Sequence, residues 1–183
     1  MKLRSCLLLL LLMFLNQSVA DEPLTAHPTI KHMFAKSNEL RKGKKLSEHT
    51  ISEALTQAAQ DQAWYMARRH DKGQEDFNHR GGNGTPGQRA ARFAYEGSIK
   101  ENIARGYKSV DKAFSAWEES EDHRDAIYSD TTEVGFGYAV AKDGTTYWVA
   151  VYGKPRCSTG SQSRSSSNLS PDCLLISLSG SNR

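Results

Sequence analysis

Residues 133–153 read EVGFGYAVAKDGTTYWVAVYG and carry the clearest strand pattern in the chain. Larger apolar residues alternate with small ones over 133–141, and both alternating sets over 146–153 are largely apolar. The dipeptide Asp143-Gly144 between them favours a two-residue turn. The stretch therefore predicts an antiparallel hairpin. Because its second strand is apolar on both sides, we expect helical layers on both faces of the sheet.

The segments before the hairpin have the apolar spacing of helices. The best specified begins at Thr50, which forms a capping-box pattern with Glu53. Thr85 and Ser109 are predicted N-caps of two later helices. The basic run 41–45 is interpreted as a solvated loop. Helices are therefore predicted over 30–40, 50–70, 85–97 and 109–117.

Residues 1–20 have the composition of a secretory signal peptide. Two cations precede the apolar run 7–15, which is too short to span a bilayer comfortably. We predict cleavage after Ala20, a secreted or periplasmic protein, and no stable membrane insertion afterwards. The alternative is an uncleaved N-terminal anchor. Residues 21–29 are predicted to lead into a single domain over 30–153.

The formal net charge of the chain is +3. Loss of the two leader cations lowers it to about +1, and this balance gives no support for nucleic-acid binding. Cys157 and Cys173 remain after cleavage, and export favours a disulfide between them. The bridge would close a loop of about 15 residues and contribute about 3 kcal/mol. Two free thiols are the alternative.

The composition changes over residues 154–183, which we interpret as a serine-rich tail. Segment 158–170 has little to bury, so a flexible segment is predicted there. Residues 173–178 form a short apolar patch. We expect this patch either to dock on the domain or to add an edge strand.

Three ionisable side chains lie on separate predicted segments: His79 in a polar loop, Glu101 in a short strand or extended segment over 98–104, and His123 after a helix. If folding brings them together, they could hold a divalent cation such as zinc or carry protons, with an open position for water. Tyr147 is then expected to supply a hydrogen bond. Acidic residues before His123 are expected to raise its pKa. The alternative is that the three side chains only hydrogen-bond one another and fix loops to the sheet.

Other catalytic patterns are missing from the sequence. It has no Gly-x-Ser-x-Gly elbow, which argues against a serine hydrolase of that type. The glycine-rich residues 81–84 follow no predicted strand and precede no lysine-serine step, so they do not form a phosphate-binding loop. The remaining histidines are interpreted as surface or local contacts: His27, His32, His49 and His70.

Six short motifs, with an alanine-rich helix after the first, follow one another in the chain: Asn38-x-x-Arg41, Phe77-Asn78-His79, Glu101-Asn102-Ile103-Ala104, Trp117 to Arg124, Val134-Gly135-Phe136-Gly137 and Tyr147-Trp148. Their order resembles the CAP superfamily, the SCP-like domains of cysteine-rich secretory proteins, antigen 5 and pathogenesis-related 1 proteins. The bacterial-type branch is the most similar. The resemblance implies secretion and an α+β fold, a three-layer α-β-α sandwich with a small, mainly antiparallel sheet.

In many eukaryotic members of this family, two histidines and two glutamates line a cleft that can hold a divalent metal. The resemblance assigns the first histidine to His79 and the first glutamate to Glu101. Ser120 stands where the second glutamate would fall, and Tyr147 near the second histidine. His123 instead matches a histidine of the bacterial pattern. The resemblance therefore implies that His79 and His123 are the candidate metal ligands and that the full set of four is absent.

The alternative function is a non-catalytic extracellular binding module. The resemblance allows this, since some members bind sterols or fatty acids and others recognise proteins or cell-wall material. Arg89 and Arg92 could hold an acidic headgroup, although a short surface helix would also leave them solvated or paired. Three aromatic residues could form an apolar groove with the patch at 173–178: Trp64, Tyr65 and Tyr95.

Overall fold

The computed structural model describes residues 22–156. Within this range no helix is both long and apolar enough to cross a membrane. The predicted signal peptide, the predicted Cys157–Cys173 disulfide and the tail beyond residue 156 lie outside the described residues. After a short 3₁₀ turn at Leu24–Ala26, the elements are α1 Pro28–Gly43, β1 Thr50–Ile51, α2 Glu53–His70, α3 Pro86–Arg92, β2 Gly97–Arg105, α4 Val110–Glu119, α5 Glu121–Ile127, β3 Glu133–Val140 and β4 Thr146–Pro155.

The sheet has the order β1-β3-β4-β2. Strand β4 pairs antiparallel with β3 on one side and with β2 on the other. Strand β1 adds two residues parallel to β3. The predicted small, mainly antiparallel sheet is therefore confirmed.

The hairpin connection is longer than the sequence suggests. The Ala141 N–H donates to the Thr145 carbonyl, and the Gly144 N–H donates to the Ala141 carbonyl. Gly144 has φ +88°, the left-handed conformation that follows a type I turn in a three-residue loop. The predicted two-residue turn is therefore wrong, although Gly144 does adopt the left-handed conformation that the turn between the strands requires.

Two apolar clusters lie on opposite faces of the sheet and confirm the three layers. On one face, α2 and α3 cover alternate residues of β4, including Tyr147, Val149 and Val151. On the other face, α1, α4 and α5 cover the intervening residues, including Trp148 and Ala150. This is the two-sided burial expected from a strand without a polar face.

Small residues bring α2 close to β3. A Cβ atom added at Gly135 would overlap the backbone of Leu55, and one added at Gly137 would overlap the backbone of Ala59. The close contact explains why α2 is rich in alanine, since larger side chains on that face would separate the layers.

The N-terminus of α2 differs from the prediction. Thr50 lies in β1, opposite Glu133, and Ser52 is the N-cap, with its hydroxyl accepting from the Leu55 N–H. Pairing with the distant strand β3 therefore prevails over the local capping-box pattern. The predicted caps Thr85 and Ser109 are confirmed by their hydrogen bonds to the backbone of α3 and α4.

A buried polar network fixes α1 to two loops. The predicted solvated loop at 41–45 is wrong at its start, since α1 continues to Gly43 and Arg41 is buried. The Arg41 guanidinium donates to the carbonyls of Ser47, Ile127, Ser129 and Thr131. Asn38 exchanges two hydrogen bonds with the backbone of His49, whose Nε2 lies 2.9 Å from Thr131 Oγ1. The interpretation of His49 as a surface or local contact is therefore wrong, since the ring is buried and contacts a residue 82 positions away.

The side-chain amide of Gln60 closes part of one sheet edge. Its nitrogen donates to the Tyr138 carbonyl at 2.8 Å, and its oxygen accepts from the Tyr138 N–H at 3.1 Å. The Gln60 amide thus bonds to β3 as the peptide group of a neighbouring strand would.

Candidate functional site

Glu101 is the centre of the candidate site. It lies on β2 opposite Val151, so its side chain points to the face covered by α2 and α3. The carboxylate is 1% exposed. One oxygen, Oε1, lies 2.9 Å from Nδ1 of His79, and the other accepts from the guanidinium of Arg89. Both carboxylate oxygens are therefore engaged within the protein.

Arg89 holds this arrangement together from α3. Its side chain is fully buried and donates to the carbonyls of Gly84 and His79 as well as to Glu101. The guanidinium therefore faces the carboxylate and the loop that carries His79 rather than solvent. From the sequence, Arg89 was expected either to bind a ligand or to be solvated or paired, and the ion pair with Glu101 confirms the last of these. The local pattern of a short helix could not reveal its burial.

His79 presents its other ring nitrogen to solvent. The side chain is 43% exposed, although Nδ1 is bonded to the buried carboxylate. A carboxylate at Nδ1 favours the tautomer that carries the proton there, which leaves a lone pair on Nε2. The geometry thus provides an oriented and accessible imidazole nitrogen.

His123 comes from the opposite side of β2, on α5. The Nδ2 amide of Asn102 donates to the His123 carbonyl at 2.8 Å, which fixes α5 beside Glu101. Burial lowers the pKa of His123, and the nearby His79 lowers it further, while Asp122 raises it by less. The predicted rise in pKa from acidic neighbours is therefore wrong, because desolvation outweighs them. Because the charge of His79 acts on the pKa of His123, the two imidazoles lie within electrostatic range of each other.

Tyr147 lies outside this cluster. It pairs with Arg105 in the β2–β4 ladder, four positions along β2 from Glu101, or about 13 Å at strand spacing. Burial raises the pKa of its phenol, which hydrogen-bonds Arg105. Its ring centroid lies 6.0 Å from that of His70. The structure thus joins His79, Glu101 and Arg89 by hydrogen bonds, places His123 within electrostatic range of His79, and leaves Tyr147 apart.

The donor set limits how a metal ion could bind. Within residues 22–156, no group of three or more His, Cys, Asp or Glu side chains is arranged to hold a metal ion. Glu101 is already shared by Arg89 and His79, so it is suited to orient an imidazole rather than to bind an ion directly. Among the described residues the candidate ligands are therefore limited to the imidazoles of His79 and His123, and the site does not fit three protein ligands.

Comparisons with known proteins agree with this fold. The family model described as CAP, cysteine-rich secretory protein family, matches residues 34–152. No curated protein matches the sequence.

Solved structures with this architecture come from several bacteria. An outer surface protein of Borrelia burgdorferi superposes with a TM-score of 0.59 at 23% identity, over 69% of this chain and 92% of the other. An extracellular SCP-domain protein of Bacillus anthracis gives 0.58 at 21% identity, over 69% of this chain and 40% of the other. A cysteine-rich secretory protein of Staphylococcus aureus superposes with a TM-score of 0.54 at 20% identity, over 74% of this chain and 40% of the other. At these identities the similarity concerns the fold.

Proposed function

Since the chain belongs to the CAP family of cysteine-rich secretory proteins, we propose that it acts outside the cytoplasm as a domain that binds a divalent cation. The ligands are the imidazoles of His79 and His123. The observation that carries the proposal is the 2.9 Å hydrogen bond between His79 Nδ1 and the buried Glu101 Oε1, which orients an imidazole that is itself 43% exposed.

The state of His123 supports this proposal. An imidazole must be neutral to bind a metal, and burial together with His79 lowers the pKa of His123. The ring is therefore neutral at neutral pH, so binding requires little proton release. A cation held there would act as a Lewis acid toward its bound water.

Arg89 determines which cations suit the site. Its guanidinium occupies one oxygen of Glu101, and His79 occupies the other. Hard cations such as Ca²⁺ and Mg²⁺ require several free oxygen ligands, whereas Zn²⁺, Cu²⁺ and Ni²⁺ accept imidazole nitrogen. We therefore expect the site to select zinc-like ions over calcium.

Calorimetric titration of the mature, folded chain with Zn²⁺ tests the proposal. We expect one binding event that is lost in His79→Ala and in His123→Ala. His32→Ala is the matched control, since His32 is an exposed imidazole on α1 and should leave the heat unchanged. Glu101→Gln should weaken binding about 10- to 100-fold through loss of the orienting charge.

Two results would contradict this assignment. One is a heat of binding that survives both histidine substitutions, and the other is equal affinity for Ca²⁺. Binding should also weaken as pH falls, because protons compete with the metal ion for the imidazole nitrogens. An affinity that stays constant from pH 7.5 to 5.5 would exclude imidazole ligands.

An apolar depression favours a second candidate, a binding module for a hydrophobic group. A cavity of about 160 Å³ is lined by apolar and polar side chains, and Trp64 beside it is 46% exposed. By contrast, Tyr95 is buried, and Tyr65 packs over the loop at Gly81. The volume is below the usual range for drug-sized ligands, so it suits the end of an acyl chain rather than a sterol. The lining residues are Leu24, His27, Ile30, Gln60, Trp64 and Tyr138.

Tryptophan fluorescence during titration with a medium-chain fatty acid tests this candidate. Trp117 and Trp148 are buried, so a change on binding should come mainly from Trp64. Trp64→Ala should abolish the response, whereas Leu46→Ala, which alters another exposed apolar residue, should retain it. An unchanged spectrum in the wild-type protein would reject the candidate.

A further inference from the structure

The loop between α2 and α3, which carries His79, is held from α2 by Tyr65. This side chain is half-buried, and its hydroxyl lies between two parts of the loop. The hydroxyl donates to the carboxylate of Asp76 and accepts from the Gly82 N–H at 2.7 Å. His79 lies midway between these two residues in the chain. One phenol therefore ties together the two sides of a loop segment that has His79 at its middle.

The ring of Tyr65 also packs against this loop. Gly81 is buried, and a Cβ atom added there would overlap the ring. Glycine allows such a close approach of backbone to an aromatic side chain, and a larger residue would push the loop away from α2. The ring thus sets how closely the loop approaches α2, and the hydroxyl holds the two sides of the loop together.

Gln62 holds the same loop from one turn earlier on α2. Its side chain is buried, and Nε2 donates to the Asn78 carbonyl at 2.8 Å. Residues three apart lie on the same face of a helix, so Gln62 and Tyr65 reach the loop from one side. Within the loop, the Asn78 side-chain oxygen accepts from the Arg80 N–H at 2.7 Å and closes a tight turn at His79.

These contacts bear on the candidate site because the side chain of His79 is 43% exposed and little packing restrains it. Its imidazole meets Glu101 only while the loop backbone stays in place. We propose that Tyr65 is a positioning residue of the metal site. By holding residues 76 and 82 together, it fixes the backbone from which His79 reaches Glu101. This role rests on the proposed zinc site, and Tyr65 acts through the loop rather than as a ligand.

The variant Tyr65→Phe tests the proposal, because it removes the hydroxyl and keeps the ring that packs on Gly81. The zinc affinity of the folded chain, measured by calorimetry, should fall about tenfold, as when groups that orient a metal ligand are lost. Tyr107→Phe is the matched control and should leave the affinity unchanged. Here the carbonyl of Tyr107, not its hydroxyl, accepts from Thr146 and Trp148. Thermal unfolding checks that both variants remain folded.

Amide hydrogen exchange in the metal-free protein gives a second measurement, which does not require zinc. In Tyr65→Phe the Gly82 amide should exchange faster, because it has lost its acceptor. The Arg80 amide bonds to Asn78 and not to Tyr65, so it reports on the backbone next to His79. We expect the Arg80 amide to exchange about fivefold faster as well. A purely local role of the hydroxyl would change exchange at Gly82 alone.

The proposal is overturned if Tyr65→Phe binds zinc as tightly as the wild type, or if the Arg80 amide exchanges equally fast in both proteins. A wild-type protein that does not bind zinc would instead reject the proposed metal site. Exchange at Arg80 then decides alone: a faster rate in Tyr65→Phe would show that Tyr65 positions His79 toward Glu101, and an equal rate would overturn that role.

Discussion

Two buried arginines, Arg41 and Arg89, lie on opposite faces of the sheet and are satisfied in different ways. Arg41 donates to backbone carbonyls of two loops, and the neighbouring His49 is buried with it. Arg89 donates to the carboxylate of Glu101, which in turn holds a half-exposed His79. The first cluster presents no reactive atom to solvent, whereas the second presents one imidazole nitrogen. A buried arginine therefore marks a candidate site only when its partner also orients an accessible group.

The largest effect is expected from Arg89→Met. This change leaves the Glu101 carboxylate buried without a counter-charge, and the free energy of unfolding should fall by about 3–5 kcal/mol. Urea denaturation at pH 7 measures the loss. Arg89→Met/Glu101→Gln should recover much of it, because the uncompensated charge is removed. A loss below about 1 kcal/mol in the single variant would show that the pair is not desolvated.

A somewhat smaller loss, about 2–4 kcal/mol, is expected from Arg41→Met. It leaves several buried carbonyls without a donor, but no charge remains behind. Urea denaturation again gives the value, and Arg41→Lys should fall between the wild type and the methionine variant. If Arg41→Met lowered the free energy of unfolding by more than Arg89→Met does, the buried charge of Glu101 would not be the larger contribution.

The pH dependence of the free energy of unfolding should distinguish the buried His49 from the half-exposed His79. Burial, with a smaller contribution from Arg41, lowers the pKa of His49 to about 3. Since the folded pKa lies below the unfolded value of about 6.5, folding favours the neutral ring, and this stability is complete above that value and is lost as pH falls toward 3. Between pH 7 and pH 5 the free energy of unfolding should therefore decrease by about 2 kcal/mol.

Urea denaturation of the wild type and of His49→Gln at both pH values measures this effect. The glutamine variant should lose most of the decrease, because its amide does not titrate. An equal decrease in both proteins would assign the pH dependence to other groups.

The smallest change in stability is expected from His79→Ala, below about 0.5–1 kcal/mol, because the imidazole is half-exposed. Thermal unfolding of the metal-free protein measures it. The same variant should lose zinc binding. A destabilisation as large as that of Arg41→Met would make His79 a structural residue, like His49.

The sequence predicts the layers of this fold better than its polar contacts. The hairpin pattern in β3 and β4 and the caps Thr85 and Ser109 depend on neighbouring residues, and the structure confirms these elements. The prediction that Thr50 is a helix cap is wrong because β1 pairs with a strand more than 80 residues away, and such a pairing leaves no local sequence pattern.

The candidate site shows the same limit. The chemistry of their side chains, and then the resemblance to a family, singled out His79, Glu101 and His123, but burial decides what each one does. Arg89 meets Glu101 because α3 packs against β2, and the pKa of His123 is lowered because its ring is buried. Both effects depend on packing between elements, which the local charge pattern could not predict. For Arg41, the acceptors Ile127 and Ser129 lie 86 and 88 residues away.

The Gln60 amide on Tyr138 also affects how the protein could self-associate. An incoming strand could not lie along β3 without displacing this amide, so growth of the sheet is hindered on that side. The side chain of one glutamine thus protects this part of the β3 edge from pairing with another strand.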